Sequence, residues 1–150
     1  EEKGWYHPII SDFNRKTQPI IRYRLNDILV TSNKVCPCGD KREVIDAIMG
    51  RSDDMFHLSK VDDTLELVVP DLIRRAIMQM SEEITDYIAI QKSPEQIEIQ
   101  LKPEGLTELS MAGFEKLWDS KNLRPVEIEI TSYTHIPSAT KLRRIYRQFN

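Results

Sequence analysis

Apolar and polar residues alternate at two different periods along the second half of the chain, and these periods predict strands and helices. Short alternating runs at 55–58 and 64–69 predict a β-hairpin that turns at 61–63. In the next segment, 70–80, apolar residues recur at helical spacing, and Pro70 suits the first helical position because the N–H that proline lacks has no partner there. The predicted buried stripe of this helix is Leu72, Ile73, Ala76, Ile77 and Met80.

Three more elements follow in the same pattern. Residues 85–92 and 96–102 predict a strand pair around a turn at 93–95, residues 107–122 predict a second helix, and residues 125–133 predict a further strand. The order strand, helix, strand, strand, helix, strand predicts an α+β fold of the ferredoxin-like type, a split βαββαβ sandwich. Such a fold does not by itself indicate an activity.

The first fifty residues have a different pattern, made of short apolar runs only. Residues 5–30 predict two or more strands, 34–41 a turn, and 42–50 a strand that ends at Gly50. Because a few short strands bury little apolar surface, this part is expected to belong to a larger domain or to depend on another copy of the chain, as in a homodimer. Because the chain begins within structured-looking sequence, it is expected to be part of a longer protein.

Charge and apolar content narrow the range of partners. The chain has 150 residues and a formal net charge of -3, and its basic residues are spread out, apart from a short basic cluster near the end. This balance argues against nucleic acid or an anionic membrane as the main partner. No apolar run approaches the ~20 residues that span a bilayer, and no signal-peptide pattern is present at the start. The chain is therefore expected to be soluble and cytoplasmic.

The two cysteines lie close together, as Cys36 and Cys38 on either side of a proline. A disulfide across so short a loop is strained, so a reducing compartment fits best. A metal site would need further ligands such as His7, His57 or His135, and the spacing matches no paired-cysteine zinc motif. A Pro/Gly turn with two half-buried thiols is the favoured interpretation, and no metal site is predicted.

Three charged segments carry the candidate chemistry. "YRLND" at 23–27 places Asp27 in an otherwise apolar strand, "GRSDD" at 50–54 lies between the two parts of the chain, and "PSATK" at 137–141 precedes the basic residues at 142–147. Taken singly, each has an ordinary interpretation: an edge carboxylate, a polar linker and a solvated basic helix.

Together, in this order and spacing, the three segments resemble the C-terminal end of the adenylate-forming enzymes, the superfamily of acyl-CoA synthetases, luciferases and peptide-synthetase adenylation domains. That family has a Tyr-Arg-Thr-Gly-Asp strand motif, a Gly-Arg-x-Asp hinge and a late Pro-containing loop that ends in lysine. "PIIRY", "CPCG", "GRSDDM" and "VVPDLIRRAI" are most similar to the phenylacetate-CoA ligase branch and its CapK-like relatives. The resemblance implies that 1–52 are terminal strands of a large adenylation domain and 53–150 are a mobile C-terminal domain.

The resemblance also implies roles for four residues. Asp27 would accept hydrogen bonds from the ribose hydroxyls of ATP or AMP, since an ionised carboxylate can hold two donors side by side. Arg51 would lie near the ribose and phosphate, Asp53 would be the hinge about which the small domain rotates, and Lys141 would be the catalytic lysine. The implied cofactor is ATP with Mg²⁺. Whether CoA is the acceptor of the acyl group is left open by the resemblance. The implied substrate is a small-molecule carboxylic acid.

Some residues depart from the family pattern. Asn26 and Thr140 stand where glycine is usual, and "MFHLSK" at 55–60 lacks a hairpin glycine of the relatives, which bears most on the thioester half-reaction. Arg143, Arg144 and Arg147 could face CoA phosphates, but a solvated helix face is favoured. By itself the chain is not expected to catalyse. The alternative is a non-catalytic ferredoxin-like binding or assembly module, or a degenerate homologue.

Overall fold

In the computed structural model, the described residues are 4–14, 16–32, 34, 36–134 and 142–149. They form β-strands and α-helices that divide into two units, Glu1–Asp53 and Asp54–Asn150. We call these the N-terminal unit and the C-terminal unit. Among the described residues, no helix has the length and apolar character needed to cross a bilayer.

The described part of the N-terminal unit contains β-strands as far as Arg51, as its short apolar runs predict, and a 3₁₀ turn, Ser52–Asp54, follows them. β4 lies in the middle of a three-stranded antiparallel sheet with the order β1-β4-β5, and β2 and β3 form a separate antiparallel pair. The bounds are β1 Trp5–Tyr6, β2 Ile9–Asp12, β3 Ile20–Arg24, β4 Asp27–Ser32 and β5 Val44–Arg51.

These strands bury very little apolar surface. Of the described residues in this unit, Ile28 is the one apolar side chain that is fully buried, at 5% exposure, whereas Phe13 is 92% exposed. Isolated strand pairs and three-stranded sheets have one face or both open to solvent unless another element covers them. The other large exposed apolar residues are Tyr6, Ile9, Ile10, Ile21, Tyr23, Ile45 and Ile48.

The C-terminal unit contains a hairpin, two helices and a four-stranded sheet. The sheet order is β10-β9-β8-β11, in which β8 and β9 are antiparallel while β10 and β11 run parallel to their neighbours. The bounds are β6 Phe56–Ser59, β7 Leu65–Val68, α1 Pro70–Met78, β8 Asp86–Ser93, β9 Gln96–Lys102, α2 Ala112–Lys121, β10 Glu127–Ser132 and β11 Ile145–Arg147.

The predicted ferredoxin-like pairing of these strands is not confirmed. In a split βαββαβ sheet, another strand separates the two strands that each helix joins, but here β9 and β10 lie directly side by side. The first strand of the predicted unit, β7, pairs with β6 in its own hairpin instead of entering the sheet. The fold is a mixed α/β arrangement, rich in strands, with two helices in its described part.

The two helices cover one face of the sheet. On α1, Ile73, Ala76 and Ile77 of the predicted stripe are buried, and Phe114 of α2 belongs to the same core cluster. The helices approach closely at Gly113, where an added Cβ would lie 2.7 Å from the carbonyl oxygen of Ala76. The packing therefore needs glycine at this point for reasons of space.

Helix α2 is shorter at its start than predicted. The pattern predicts a helix from residue 107, but α2 begins at Ala112. The backbone N–H of Ser110 donates to the carbonyl oxygen of Met80, just beyond α1, at 2.9 Å. This bond holds the preceding segment against α1 instead of in a helical turn.

The segment 142–147, predicted as a basic amphipathic helix, contains a strand instead. Ile145 is buried in the core, and β11 runs parallel to β8. The N–H of Ala89 donates to the carbonyl oxygen of Arg144 at 2.7 Å. The N–H of Gln148 donates to the carbonyl oxygen of Gln91 at 3.0 Å. These are long-range sheet contacts, which local helical spacing does not reveal.

One buried side chain attaches the hairpin to the sheet. Gln91 of β8 is 0% exposed, and its Oε1 accepts the backbone N–H of His57 at 2.8 Å. Its Nε2 donates to the carbonyl oxygens of His57 at 2.6 Å and Ser93 at 3.1 Å. The amide thus substitutes for a neighbouring strand along β6.

We expect Gln91→Leu to lower the free energy of unfolding of the C-terminal unit by about 2–4 kcal/mol. Leucine has a similar volume but leaves the N–H and C=O of His57 without this partner, and each buried unpaired group costs about 1–3 kcal/mol. Urea denaturation would measure the change. Gln96→Leu, a half-buried glutamine on the next strand, is the control and should shift stability by less than about 1 kcal/mol. Equal small effects of both substitutions would contradict the role of Gln91.

Candidate functional site

The predicted nucleotide residues Asp27 and Arg51 lie opposite each other on neighbouring strands. Asp27 is the first residue of β4, Arg51 is the last residue of β5, and the antiparallel register pairs them directly. Directly opposed residues on antiparallel strands have Cβ atoms about 4.5–5.5 Å apart. The pairing brings together a carboxylate and a guanidinium that are 24 positions apart in sequence.

Gly50 makes this pairing possible through a β-bulge. The register passes from Ile28 opposite Gly50 to Leu29 opposite Ile48, so that Met49 is an extra residue on β5. Gly50 has a φ of 99°, a backbone conformation that residues with a Cβ rarely adopt. Such a bulge bends and twists the strand, and here it sets the direction of the last residue, Arg51.

A backbone hydrogen bond closes the end of this strand pair. The N–H of Ser52 donates to the carbonyl oxygen of Asn26 at 2.9 Å, one residue beyond the Asp27–Arg51 pair. The φ of Asn26 is not positive, so the chain turns here without a left-handed backbone conformation. The glycine of the motif that this segment resembles is therefore not required at this position. The substitution of asparagine is therefore compatible with the local geometry.

The predicted hinge residue Asp53 follows immediately. It lies in a single 3₁₀ turn, Ser52–Asp54, and the division between the two units falls directly after it. Nη2 of Arg51 lies 3.9 Å from Oδ2 of Asp53, with side-chain exposures of 48% and 41%. At this distance and exposure the attraction is weak, so it leaves the guanidinium able to bind an anion.

Taken together, Asp27 and Arg51 offer acceptor oxygens and charged donors side by side at the end of two strands. Asp27 is half-buried and has acceptor oxygens only, as the two vicinal hydroxyls of a ribose require. Arg51 offers a permanently charged fork of donors, as a phosphate requires. The predicted catalytic residue Lys141, with His135 and Thr140, lies outside the described residues.

The arginines of 142–147 are engaged with partners in the C-terminal unit, contrary to the predicted solvated face. Nε of Arg143 donates to Oδ1 of Asp54 at 3.0 Å. Nη1 of Arg147 lies 2.6 and 2.8 Å from the two ring nitrogens of His57. Burial and the nearby charge of Arg147 both lower the pKa of His57, which favours a neutral ring.

The third arginine belongs to a cluster that the sequence did not predict. Nε of Arg144 donates to Oδ1 of Asp86 at 2.8 Å, and the hydroxyl of Tyr133 donates to Oδ2 of the same carboxylate at 2.9 Å. Burial alone would raise the pKa of Asp86, but the hydrogen bonds from Arg144, Tyr133 and the N–H of Tyr87 outweigh it and leave the pKa below its usual value. An aspartate at a strand start gives no sequence signal of such partners.

The cysteine segment is a turn, as predicted. The N–H of Gly39 donates to the carbonyl oxygen of Cys36 at 2.9 Å, and the two sulfur atoms lie 2.7 Å apart as free thiols. Cys36 is half-buried but Cys38 is exposed, so the prediction of two half-buried thiols is right for Cys36 and wrong for Cys38. Hydrogen bonds from Cys36 and from the backbone of Asp40 lower the pKa of Cys38. Within the described ranges, no three His, Cys, Asp or Glu side chains are grouped so as to hold a metal ion.

The chain is similar in fold to part of a known ligase. The chain aligns with 2-hydroxyisobutyryl-CoA ligase in the postadenylation state in complex with 2-HIB-AMP, with a TM-score of 0.53 and 21% identity. The same ligase in complex with R3-HIB-AMP aligns with a TM-score of 0.55 and 21% identity. Each alignment covers 96% of this chain and 32% of the ligase chain, so this chain spans about a third of the length of those structures.

At this level of identity the likeness concerns the fold. No protein-family model matches the chain, and no curated protein matches it in sequence. The assignment of a function therefore depends on the residues of the site itself.

We expect Gly50→Ala to loosen the end of the β4–β5 pair. A Cβ at a φ of 99° is strained, so the bulge must shift or the strand end must open, at a cost of about 1–2 kcal/mol. Hydrogen–deuterium exchange at the amides of Ser52 and Ile28 should then accelerate by about tenfold. Glu43→Ala, an exposed site just before β5, should leave these rates unchanged. Unchanged rates in Gly50→Ala would show that the bulge does not fix this end.

Proposed function

We propose that the chain is the C-terminal portion of an acyl-adenylate-forming ligase of the phenylacetate-CoA ligase and CapK-like branch. In this proposal, residues 1–52 are the last strands of a large adenylation domain and residues 53–150 are its mobile C-terminal domain. The full-length enzyme would join a small-molecule carboxylic acid to AMP, and the portion alone would be inactive. The motifs "YRLND", "GRSDD" and "PSATK" support this, as does the fold likeness to a CoA ligase.

The observation that carries the proposal is the pairing of Asp27 with Arg51. Two segments that the sequence resemblance links to one nucleotide lie directly opposite each other in one sheet. Opposite charges across two antiparallel strands stabilise a sheet by about 0.2–1 kcal/mol on their own. The support for the proposal is therefore that these two charges belong to the two motifs. The bulge at Gly50 and the Ser52–Asn26 hydrogen bond fix that end of the pair.

The reaction that these residues would support is attack by a carboxylate oxygen on the α-phosphorus of ATP. A new phosphorus–oxygen bond forms, the bond to the β-phosphate breaks, and pyrophosphate leaves. Asp27 would hold the ribose hydroxyls and Arg51 would neutralise phosphate charge, so that both act mainly by positioning the nucleotide. ATP would enter with Mg²⁺, for which we assign no residue of this chain.

Lys141 is the proposed catalytic residue. Its ammonium group would bridge the attacking carboxylate and the α-phosphate, where negative charge gathers as the two anions approach. A positive charge placed there stabilises the transition state more than the separated substrates. Asp53 would be the hinge that allows the C-terminal domain to bring this lysine to the nucleotide, since a few backbone dihedrals can absorb a rigid-body rotation.

The exposed apolar surface of the N-terminal unit supports the presence of a larger partner domain. Phe13, Ile21 and Ile48 are 92%, 73% and 69% exposed. So many large exposed apolar side chains on two small sheets are typical of surfaces that other elements cover. The upstream part of the same polypeptide would supply that cover, together with the phosphate loop and the acid-binding pocket; a homodimer contact is the alternative.

Transfer of the acyl group to CoA is proposed only as the second half-reaction. The ligases of similar fold are named for CoA. In this chain, Arg143 and Arg144 are already bound to Asp54 and Asp86, so they are poorly placed to serve as general phosphate contacts. The adenylation step is therefore the better supported half of the proposal.

We expect the full-length protein to catalyse carboxylate-dependent exchange of pyrophosphate into ATP, measured with a panel of acids. Lys141→Ala should lower the rate by about 100- to 1,000-fold, because a transition-state contact is lost. Asp27→Asn should raise the KM for ATP by about tenfold or more. The controls are Lys116→Ala on α2 and Asp46→Asn, an ion-paired aspartate on β5, and neither should change the exchange.

The alternative interpretation makes a different prediction in the same assay. A non-catalytic binding module, or a homologue that has lost adenylation, would show no exchange with any acid although it folds normally. An upstream sequence without a Gly/Ser/Thr-rich phosphate loop would point the same way. Either result would overturn the ligase proposal.

We expect the chain around Asp53 to be the first site of proteolytic cleavage between the two units in the full-length protein. A hinge must change its backbone dihedrals, and such segments open more readily than the strands that flank them. Limited proteolysis followed by mass spectrometry would locate the first cut. Cleavage spread evenly over residues 44–68, with no preference for 51–54, would contradict a mobile hinge.

A further inference from the structure

The two cysteines lie in the segment that joins β4 to β5, and the proposed adenylation step does not use them. This segment follows the Ser32–Val44 end of the strand pair, whereas Asp27 and Arg51 lie opposite each other at its other end. The chemistry of the two thiols is therefore separate from that of the nucleotide residues.

A tight turn brings the two sulfur atoms together. Sγ of Cys36 lies 2.7 Å from Sγ of Cys38, and the N–H of Gly39 donates to the carbonyl oxygen of Cys36 at 2.9 Å. In an extended strand, residues two positions apart are separated by about 6.5 Å, near the upper end of the Cα separations that a disulfide allows. The turn therefore holds as a pair two thiols that an extended segment would keep further apart.

The surroundings of the turn leave one thiol accessible and favour its reactive form. Cys38 is exposed, whereas Cys36 is half-buried. Hydrogen bonds from Cys36 and from the backbone of Asp40 lower the pKa of Cys38, which increases the fraction of thiolate, the form that attacks disulfides. Nε of Arg42 donates to Oδ2 of Asp40 at 2.9 Å and holds the residue that follows the turn. One sulfur is thus suited to attack, and the other lies directly beside it.

The pair of thiols is better suited to exchange with a disulfide than to a structural metal site. A structural zinc site takes four ligands. Within the described ranges, no third His, Cys, Asp or Glu side chain joins the two sulfurs in a group that could hold a metal ion. Thiol–disulfide exchange needs two thiols and no further ligand.

The residues that follow the turn are charged and exposed. Lys41, Arg42 and Glu43 are all exposed, and the side chain of Arg42 is 89% exposed even though it is paired with Asp40. Charged side chains are costly to bury. We therefore expect the turn to stay accessible to small solutes in the full-length protein.

From this geometry we propose that Cys36 and Cys38 form a redox-active dithiol that exchanges with low-molecular-weight disulfides such as oxidised glutathione. The thiolate of Cys38 attacks one sulfur of the small disulfide, so that a mixed disulfide forms and one small thiolate leaves. Cys36 then loses its proton and attacks the sulfur of Cys38, which releases the second small thiolate. Two electrons pass from the protein to the small disulfide, and the two thiol protons of the protein are taken up by the two thiols released.

The short loop makes this exchange reversible. A disulfide between residues two positions apart is strained, and strained disulfides are the more easily reduced ones. An excess of the reduced small thiol should therefore return the pair to the dithiol form.

The first test treats the reduced full-length protein with oxidised glutathione and stops the reaction at intervals by alkylating the free thiols. Mass spectrometry of the tryptic peptide 35–41, which contains both cysteines, should show one added glutathione and later a disulfide that lacks two hydrogen atoms. Cys36→Ser should accumulate the mixed disulfide, because the resolving thiol is absent. Cys38→Ser should take up glutathione at least about tenfold more slowly, since the remaining thiol is half-buried.

The second test asks whether the turn, and not the short spacing alone, sets the rate of closure. Gly39 has a φ of 80°, and an added Cβ would meet no atom within 4 Å. Gly39→Ala strains the turn through its backbone alone and should slow closure of the mixed disulfide by about tenfold. Gly105→Ala is the matched control, because Gly105 has the same φ and equally open surroundings in the loop before α2. It should leave the rate unchanged.

Several results would overturn the proposal. Wild-type protein that takes up no glutathione, or that stops at the mixed disulfide, has no functional pair of thiols. Thiols that react only after a chelator is added belong to a metal site, and a disulfide that excess reduced glutathione leaves intact is a fixed cross-link. Equal rates of closure in Gly39→Ala and Gly105→Ala would show that the turn does not matter. None of these measurements depends on pyrophosphate exchange, so the ligase proposal can fail while the redox-active dithiol stands.

Discussion

The buried amide of Gln91 is the contact on which the arrangement of the C-terminal unit depends. It binds both the N–H and the C=O of His57, so it attaches the β6–β7 hairpin to β8 as a neighbouring strand would. Because an unpaired buried amide is costly, these bonds also favour one register of the hairpin over its alternatives. The strand that carries Gln91 also carries Asp86, so the hairpin, Tyr133 and Arg144 are all bound to β8.

The N-terminal unit positions its polar residues by different means. It has almost no core of its own, and the place of Asp27 opposite Arg51 follows from strand register and from one bulge at Gly50. A register shift of one residue would move every side chain of β5 to the other face. Strand register and this bulge, rather than the packing of a core, therefore decide where the two side chains lie.

Particular elements show where sequence reasoning succeeds. The helix that starts at Pro70, the hairpin before it and the strands at 86–93 and 96–102 follow from local periodicity, because each buries one face along its own length. The segment 142–147 has the spacing of a basic helix and yet contains β11, because the edge of β8 offers hydrogen bonds that a helix could not use. The ferredoxin-like pairing failed for the same reason: the order of elements does not fix which strands become neighbours.

The sequence by itself determined most of the elements between 55 and 133, the poor core of the first fifty residues and the three segments that resemble an adenylate-forming ligase, since these are properties of neighbouring residues. Tertiary structure decided which charges meet. Asp27 lies opposite Arg51 in the register of β4 and β5. Arg143 donates a hydrogen bond to Asp54, and Asp86 accepts hydrogen bonds from both Tyr133 and Arg144. Contacts between residues so far apart in the chain depend on strand pairing and packing, which local patterns do not encode.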